Sequence, residues 1–296
     1  MRERIALWKH IFDTDDNAIT RQVSELAWNL AAFTCLVEAV RSAPDHGSGK
    51  RLNGMFMDML ASGFWSSTMQ GVRKLAEKQP IHGPKAVCSI GGLLQDVHAV
   101  RHRLTRRVFV EDIAGAEYDY EATRARYLQW LMEGEPGPKW VPREYHYEIS
   151  EQRHQVFDWL SGTTPENRTP EDVIREQVFI DLEERLKQLD AVVEHVNVAV
   201  AHAATEASRA GRVLDRWNLG DAKNAIKELA QIAEVVGNWF CFSGVGTVLP
   251  VPQFDQFEHL DQPLYQGDVD RLREVWDGLS QEMEHWHEVD PTREGP

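Results

Sequence analysis

Apolar residues recur every three or four positions along most of this chain, a spacing typical of amphipathic helices. Over residues 17–42 they stand at Val23, Leu26, Leu30, Phe33, Val37 and Val40. The same spacing predicts helices over residues 53–78, from a Ser89 cap to about residue 104, and over residues 121–132, 150–160, 221–242 and 268–287. Alternating apolar and polar residues, which are typical of strands, are almost absent. The pattern predicts an all-α fold, an antiparallel helical bundle with additional helices and loop insertions.

The longest predicted helix begins in the sequence TPED at residues 169–172. This sequence combines a threonine cap, a proline at the first helical position and acids that complement the helix dipole. Its apolar seam consists of Leu182, Leu186, Leu189, Val193, Val196 and Val200. We expect one helix of roughly 35 residues, ending near Ser208 and packed antiparallel against the helix at residues 221–242.

Proline and glycine divide the chain at two places. Residues 134–142, GEPGPKWVP, predict an insertion or linker around residues 134–148, and residues 245–267 read as a loop. The length of 296 residues is sufficient for one self-sufficient core. We therefore expect a single helical domain over residues 1–296.

Composition restricts the compartment and the partners. A net charge of −15 disfavours a general polyanion binder, although it leaves room for a local basic site. Three widely separated cysteines predict neither a disulfide framework nor a cysteine-rich zinc site. The first ten residues lack the apolar run of a signal peptide, and the uncharged residues 235–254 contain glycines and prolines that would break a membrane span. A cytoplasmic protein without a membrane partner is expected.

A small polar set interrupts the apolar end of the long predicted helix: His195, Asn197, His202, Glu206 and Arg209. With 3.6 residues per turn, four of these residues, all except the asparagine, fall on one line away from the buried seam. Histidine on a rigid helix near polar neighbours is the strongest candidate for chemistry in this chain. The alternative is a histidine satisfied at a helix–helix contact.

A second candidate is the basic cluster at residues 98–107, HAVRHRLTRR. His98, Arg101 and His102 share one helix face, and Arg106 follows one turn later. Because the arginine fork matches phosphate, an RNA backbone or a nucleotide can dock here. The alternative is a cationic helix end that is favoured by the helix dipole and paired with acids elsewhere in the chain.

Two segments, residues 89–110 and 194–202 (EHVNVAVAH), resemble an abortive-infection subgroup of the HEPN superfamily, helical-bundle proteins of prokaryotic defence and toxin systems. Ribonucleases of the wider superfamily carry an arginine and a histidine separated by four to six residues, a pair that cleaves RNA without a metal. His202 matches that histidine, but the positions of the arginine hold His195, Val196 and Asn197. Arg209 or a partner subunit would have to supply the cation.

The resemblance implies a protein of defence or stress response that binds RNA or a nucleotide, and a degenerate metal-independent endoribonuclease if it is an enzyme. His202, Asn197 and Arg209 are the expected catalytic residues, and His98, Arg101, His102, Arg106 and His195 the expected ligand-binding residues. No metal or cofactor is expected. The resemblance also implies a homodimer and a possible partner or antitoxin protein. The alternative is a non-catalytic protein–protein interaction or dimerisation module.

Overall fold

The computed structural model describes residues 1–42, 53–134, 137, 140–201, 204–213, 217–260 and 267–284. Within these ranges the chain is mostly helical and has no β-strand, apart from one isolated bridge between Thr105 and Val173. The predicted all-α class is confirmed.

The α-helices are α1 (Arg2–Lys9), α2 (Ile19–Ser42), α3 (Gly54–Ala76), α4 (Ile90–Ala99), α5 (Tyr120–Glu133), α6 (Tyr147–Ser161), α7 (Glu176–Lys187), α8 (Asp190–His195), α9 (Glu206–Arg209), α10 (Leu219–Val236) and α11 (Val269–Glu284). Four π-helical segments are described, His10–Thr14, Val108–Ile113, Val196–Val200 and Gly237–Cys241. Short 3₁₀ turns lie at Arg101–Arg103, Arg143–Tyr145 and Pro165–Asn167.

Side-chain caps account for several helix starts. Asn53 accepts a backbone hydrogen bond in the first turn of α3, and the hydroxyl of Ser89 accepts one from the Gly92 N–H in α4. Asn218 and Asp221 form a reciprocal capping box at α10. Such caps satisfy N–H groups that have no partner inside the helix. The predicted Ser89 cap is confirmed, although α4 ends five residues before the expected residue 104 and continues as a 3₁₀ turn.

Residues Met1–Pro250 form one compact unit and Val251–Pro296 form a second. In the second unit, α11 exposes an apolar stripe formed by Leu272, Val275, Trp276 and Leu279. Residues 245–260 and 267, the described part of the predicted loop, contain no helix. The single domain over residues 1–296 stays a prediction.

Helix α10 lies at the centre of the first unit, where it contacts α2, α3, α4 and α7. Its side chains Ile226, Leu229 and Val236 are buried. Phe179 of α7 stacks on Phe240 of the π segment that follows α10, with 5.8 Å between the ring centroids. Full burial of each such side chain contributes about 1.5–3 kcal/mol, so this helix organises the core.

The predicted start of the long helix is wrong. Residues 170–173 run beside residues 105–107, where the N–H of Arg106 donates to the Asp172 carbonyl and the N–H of Arg107 to the Pro170 carbonyl. The Asp172 carboxylate accepts from both the backbone N–H and the hydroxyl of Thr169. The TPED sequence therefore forms a turn, and α7 begins at Glu176 because tertiary pairing holds the preceding segment out of helical conformation.

The far end of that predicted helix is also wrong. The chain breaks between α7 and α8 at Gln188 and Leu189, passes into the π segment Val196–Val200 and leaves helical structure at Ala201. Branched valines are frequent in this stretch, and valine has a lower helix propensity than unbranched residues. Thr205 then caps the separate short helix α9.

One helical stretch among the described residues, Arg2–Ser42, contains an 18-residue window with mean hydropathy 1.3. By length and composition alone that stretch can cross a membrane. The core helix of a soluble protein passes the same test, and Val23, Leu26 and Phe33 of α2 are buried in the core.

Candidate functional site

His98 belongs to the contact between α4 and α7. Its ring stacks on Phe179 with 4.7 Å between centroids, and its Nδ1 lies 3.0 Å from Oε1 of Glu183. These two contacts orient the imidazole along the neighbouring helix. The predicted ligand-binding residue is therefore already engaged within the protein.

Arg101 and His102 differ in exposure. One guanidinium nitrogen of Arg101 donates to the Ile174 carbonyl at 3.0 Å, and another lies 3.7 Å from the Glu176 carboxylate. His102 and its neighbour Arg103 are exposed. The basic cluster thus presents only part of its charge to a ligand.

Arg106 is a correction to the predicted ligand-binding set. The side chain is fully buried, and its guanidinium is paired with Asp158 at 2.8 Å and with Asp172 at 2.9 Å. It also donates to the His154 carbonyl and lies over the Phe157 ring. A phosphate in solution has no access to this cation. Arg106 instead joins the 105–107 segment, α6 and the turn before α7.

The two carboxylates around Arg106 are held in their charged form. Burial alone raises the pKa of Asp158, but hydrogen bonds from Arg168 and Arg106 outweigh it and lower the pKa. Burial likewise raises the pKa of Asp172, and hydrogen bonds from Thr169 and Arg106 produce a net lowering. This cluster is a buried ion network.

His154 predicts how stability responds to mild acid. Its Nε2 lies 2.8 Å from the Tyr118 carbonyl and must carry the hydrogen, while Nδ1 is buried without a partner among the described residues. Burial lowers the pKa of His154 below 6.5, and the charges of Arg106 and Arg168 add to this effect. As pH falls below 6.5, the imidazole of His154 becomes protonated in the unfolded chain but stays neutral in the folded chain. The free energy of unfolding should therefore decrease with falling pH until the pKa of His154 in the folded chain is passed.

Chemical denaturation between pH 7.5 and 5 measures this decrease. The variant His154→Gln keeps a donor towards the Tyr118 carbonyl, and its free energy of unfolding should depend less on pH than that of the wild-type protein. The variant His102→Gln, at an exposed position, should keep the wild-type pH dependence. An unchanged slope in His154→Gln would contradict the assignment.

The predicted line of polar residues on one helix is wrong. It requires continuous helix from His195 to Arg209, and the chain leaves that helix before residue 202. His195 and Asn197 are half-buried, and Arg209 lies exposed in α9. His202 lies outside the described residues.

Asn197 contacts a cation that sequence analysis did not select. Its Oδ1 accepts a 2.6 Å hydrogen bond from Nε of Arg73, near the end of α3. The Arg73 guanidinium also lies 3.8 Å from the carboxylate of Glu77, the residue that follows the end of α3. Helix α3 packs on α8 and on the following π segment, and this packing brings residues 124 positions apart into contact. No local pattern marks Arg73, because its importance depends on that packing.

Arg73 lines a polar cleft of about 1040 Å³. The cleft lies among α2, α3 and the segment before α4, and its size suits a ligand of nucleotide dimensions. Lys74 provides a second cation. Uncharged polar side chains supply donors and acceptors: Gln22, Asn29, Ser66, Ser67 and Gln70.

Acids, one thiol, the imidazole of His10 and apolar side chains such as Leu7 complete the cleft. Asp15, Glu25 and Glu77 contribute carboxylates, so the lining has mixed charge. The backbone N–H of Asn17 is the main cause of a lowered pKa for Asp15. Burial, with the nearby Asp15 charge, raises the pKa of Cys88 to about 11. This thiol is therefore protonated near neutral pH and is a poor nucleophile.

In the part of the chain that the structure describes, no group of three or more His, Cys, Asp or Glu side chains is arranged to hold a metal ion. The described lining of the cleft offers hydrogen-bonding groups, charged groups and the imidazole of His10. No protein-family model, curated protein or solved structure gives a significant match to this chain.

Proposed function

We propose that this protein binds RNA or a nucleotide through phosphate in the polar cleft, with Arg73 as the principal cation. The hydrogen bond from Arg73 to Asn197 carries the proposal. It places a guanidinium beside the segment that resembles the HEPN motif and on the wall of a cleft of suitable size. The Oδ1 of Asn197 accepts a hydrogen bond from the Nε of Arg73, and this bond fixes the orientation of the remaining guanidinium nitrogens.

Charge favours a small ligand or a short RNA segment. Two cations, Arg73 and Lys74, face three carboxylates in the cleft lining, and the whole chain has a net charge of −15. A long polyanion would be repelled, whereas one or two phosphates can be held locally. The uncharged polar side chains of the cleft supply hydrogen bonds to a ribose or a base.

Arg73 can also replace the arginine that the ribonuclease motif of this chain lacks. The ribonuclease motif needs a cation near its histidine, and the arginine at the expected position is absent. In the proposed arrangement Arg73 stabilises developing negative charge, and His202 acts as general acid or base. This role corresponds to a HEPN-like, metal-independent endoribonuclease of prokaryotic defence or stress response, located in the cytoplasm.

Fluorescence anisotropy with a labelled short single-stranded RNA, and calorimetry with nucleotides, test the binding. Arg73→Ala should weaken binding by about 10–100-fold, because a hydrogen bond to a charged group contributes about 1.5–3 kcal/mol. Asn197→Ala should have a smaller effect, since the cation remains but is less oriented. Lys187→Ala removes an equal charge from the exposed face of α7 and should leave affinity within twofold.

The proposal is refuted if Arg73→Ala and the wild-type protein have the same melting temperature and bind RNA and nucleotides with the same affinity. The catalytic extension is tested separately with the same RNA in EDTA. Cleavage by the unchanged protein that is lost in His202→Ala supports it. Binding without cleavage leaves the protein a non-catalytic RNA or nucleotide binder.

A second candidate function is a protein–protein interaction module. A second cavity favours it, because that cavity is apolar and lies on another face of α2.

A further inference from the structure

The second cavity is an open groove of about 1110 Å³ between α2, α10 and the segment at residues 245–249. Alanines at positions 27, 31 and 230 contribute small side chains to its lining, and Leu30, Val235 and Leu249 contribute large apolar ones. The polar cleft uses other residues of α2, such as Gln22 and Asn29. The two sites therefore lie on different faces of one helix.

The groove carries an excess of positive charge. Lys223 and Lys227 stand one turn apart on α10, and both are exposed. Arg185 also lines the groove, but its guanidinium is paired with Glu228 at 2.5 Å, so the two lysines carry the local excess. Glu234 provides the carboxylate of the lining, and it accepts hydrogen bonds from the backbone N–H groups of Val245 and Gly246. In a chain with 47 acidic and 32 basic residues, this local excess of cations is an exception.

The 245–249 segment is held in place as one wall of the groove. The Glu234 carboxylate receives 2.6 and 3.1 Å hydrogen bonds from that segment and another from Asn238. Val245 and Val248 pack partly against the hydrophobic core. The groove is therefore bounded by two helices and a tethered wall.

We propose that this groove binds an amphipathic helix of a partner protein, with acidic residues beside the apolar stripe. The inference rests on the second candidate function and names the class of partner. Small residues in the lining allow a helix backbone to approach closely, and large apolar residues pack against its stripe. Lys223 and Lys227 have the spacing to face carboxylates on successive turns of that helix. The positive charge of these two lysines therefore favours an acidic partner helix over a basic one.

The probe is a fluorescein-labelled synthetic helix of 18 residues, with leucines at every third or fourth position and glutamates on the flanks. It should bind the full-length protein with an affinity that falls as salt is raised. The same peptide with lysine flanks should bind at least tenfold more weakly. The double variant Lys223→Glu/Lys227→Glu should bind the glutamate peptide at least tenfold more weakly than the wild-type protein does. It should bind the lysine peptide more tightly than the wild-type protein does.

Two further variants locate the site. Ala31→Trp fills the groove from the surface of α2 and should abolish peptide binding without a loss of melting temperature. The control Lys85→Glu/Lys187→Glu reverses two exposed charges outside the groove and should leave binding within twofold. Bound peptide should also slow alkylation of Cys35, an exposed groove residue, while Cys88 reacts slowly because its pKa is raised.

The proposal is overturned if both peptides bind equally, or if the charge reversal and Ala31→Trp leave binding of the glutamate peptide unchanged. It is also overturned if this peptide does not bind while the same variants abolish self-association or binding to anionic vesicles. Arg73→Ala should leave peptide binding intact, and the groove variants should leave nucleotide binding intact. Failure of this inference is therefore distinguishable from failure of the phosphate site.

Discussion

Arg106→Ala should lower the free energy of unfolding by about 3–5 kcal/mol, the range for breaking a buried ion pair by removing one partner. The guanidinium is fully buried and is the shared partner of Asp158 and Asp172. Its loss leaves two partly buried carboxylates with reduced compensation and leaves a cavity beside Phe157. Urea denaturation followed by circular dichroism measures the difference.

The matched control is Arg107→Ala, which removes the same side chain from the next position. Arg107 is exposed and pairs with Glu111 at 3.5 Å, an interaction that contributes about 0.3–0.5 kcal/mol on a surface helix. Equal destabilisation by the two variants would contradict the buried network. Unchanged stability in Arg106→Ala with loss of RNA binding would restore the ligand-binding interpretation.

Gly92→Ala should destabilise the protein by about 3 kcal/mol, at the upper end of the usual range for overpacking. A Cβ atom built on Gly92 would lie 2.3 Å from the carbonyl oxygen of Gln79 and 2.8 Å from Oγ of Ser89. The first of these atoms belongs to the backbone, so no side-chain rotation relieves the clash. Ser89 caps the same helix, so the clash also disturbs the cap.

Gly63→Ala is the control, because it introduces the same methyl group within a helix. Nothing lies within 4 Å of a Cβ at this position in α3, and alanine has a higher helix propensity than glycine. It should raise stability by about 0.5–1 kcal/mol. Thermal unfolding of both variants should therefore shift in opposite directions, and parallel shifts would contradict the close approach at Gly92.

Local sequence was sufficient for elements whose stabilising interactions are themselves local. The apolar spacing of α2, α3 and α10 identifies their buried faces, and Ser89 caps α4 three residues from the N–H it satisfies. The same reasoning failed at residues 169–172. There a strong local helix start is overridden by backbone hydrogen bonds to residues 105–107. A cap contributes about 1 kcal/mol, and two backbone hydrogen bonds together contribute about 1–3 kcal/mol, which is enough to override it.

The candidate site shows the same limit. The sequence predicted Asn197 as a site residue, with the cation supplied by Arg209 or by another subunit. Arg73 was not predicted, because it lies 124 positions from Asn197 in the chain. It also assigned Arg106 to a ligand, since a run of arginines has the same composition whether it faces solvent or the interior. Exposure separates the two cases, and exposure is a property of the packed chain.

The sequence by itself determined the helical class, most helix positions and the acidic balance of this protein, because periodicity, caps and charge are read from neighbouring residues. Only the tertiary structure decided which cations are buried, where the long predicted helix breaks, and that Arg73 meets Asn197 beside a cleft. These features depend on contacts between residues distant in the chain. Such contacts arise when helices pack, and no local pattern specifies which faces meet.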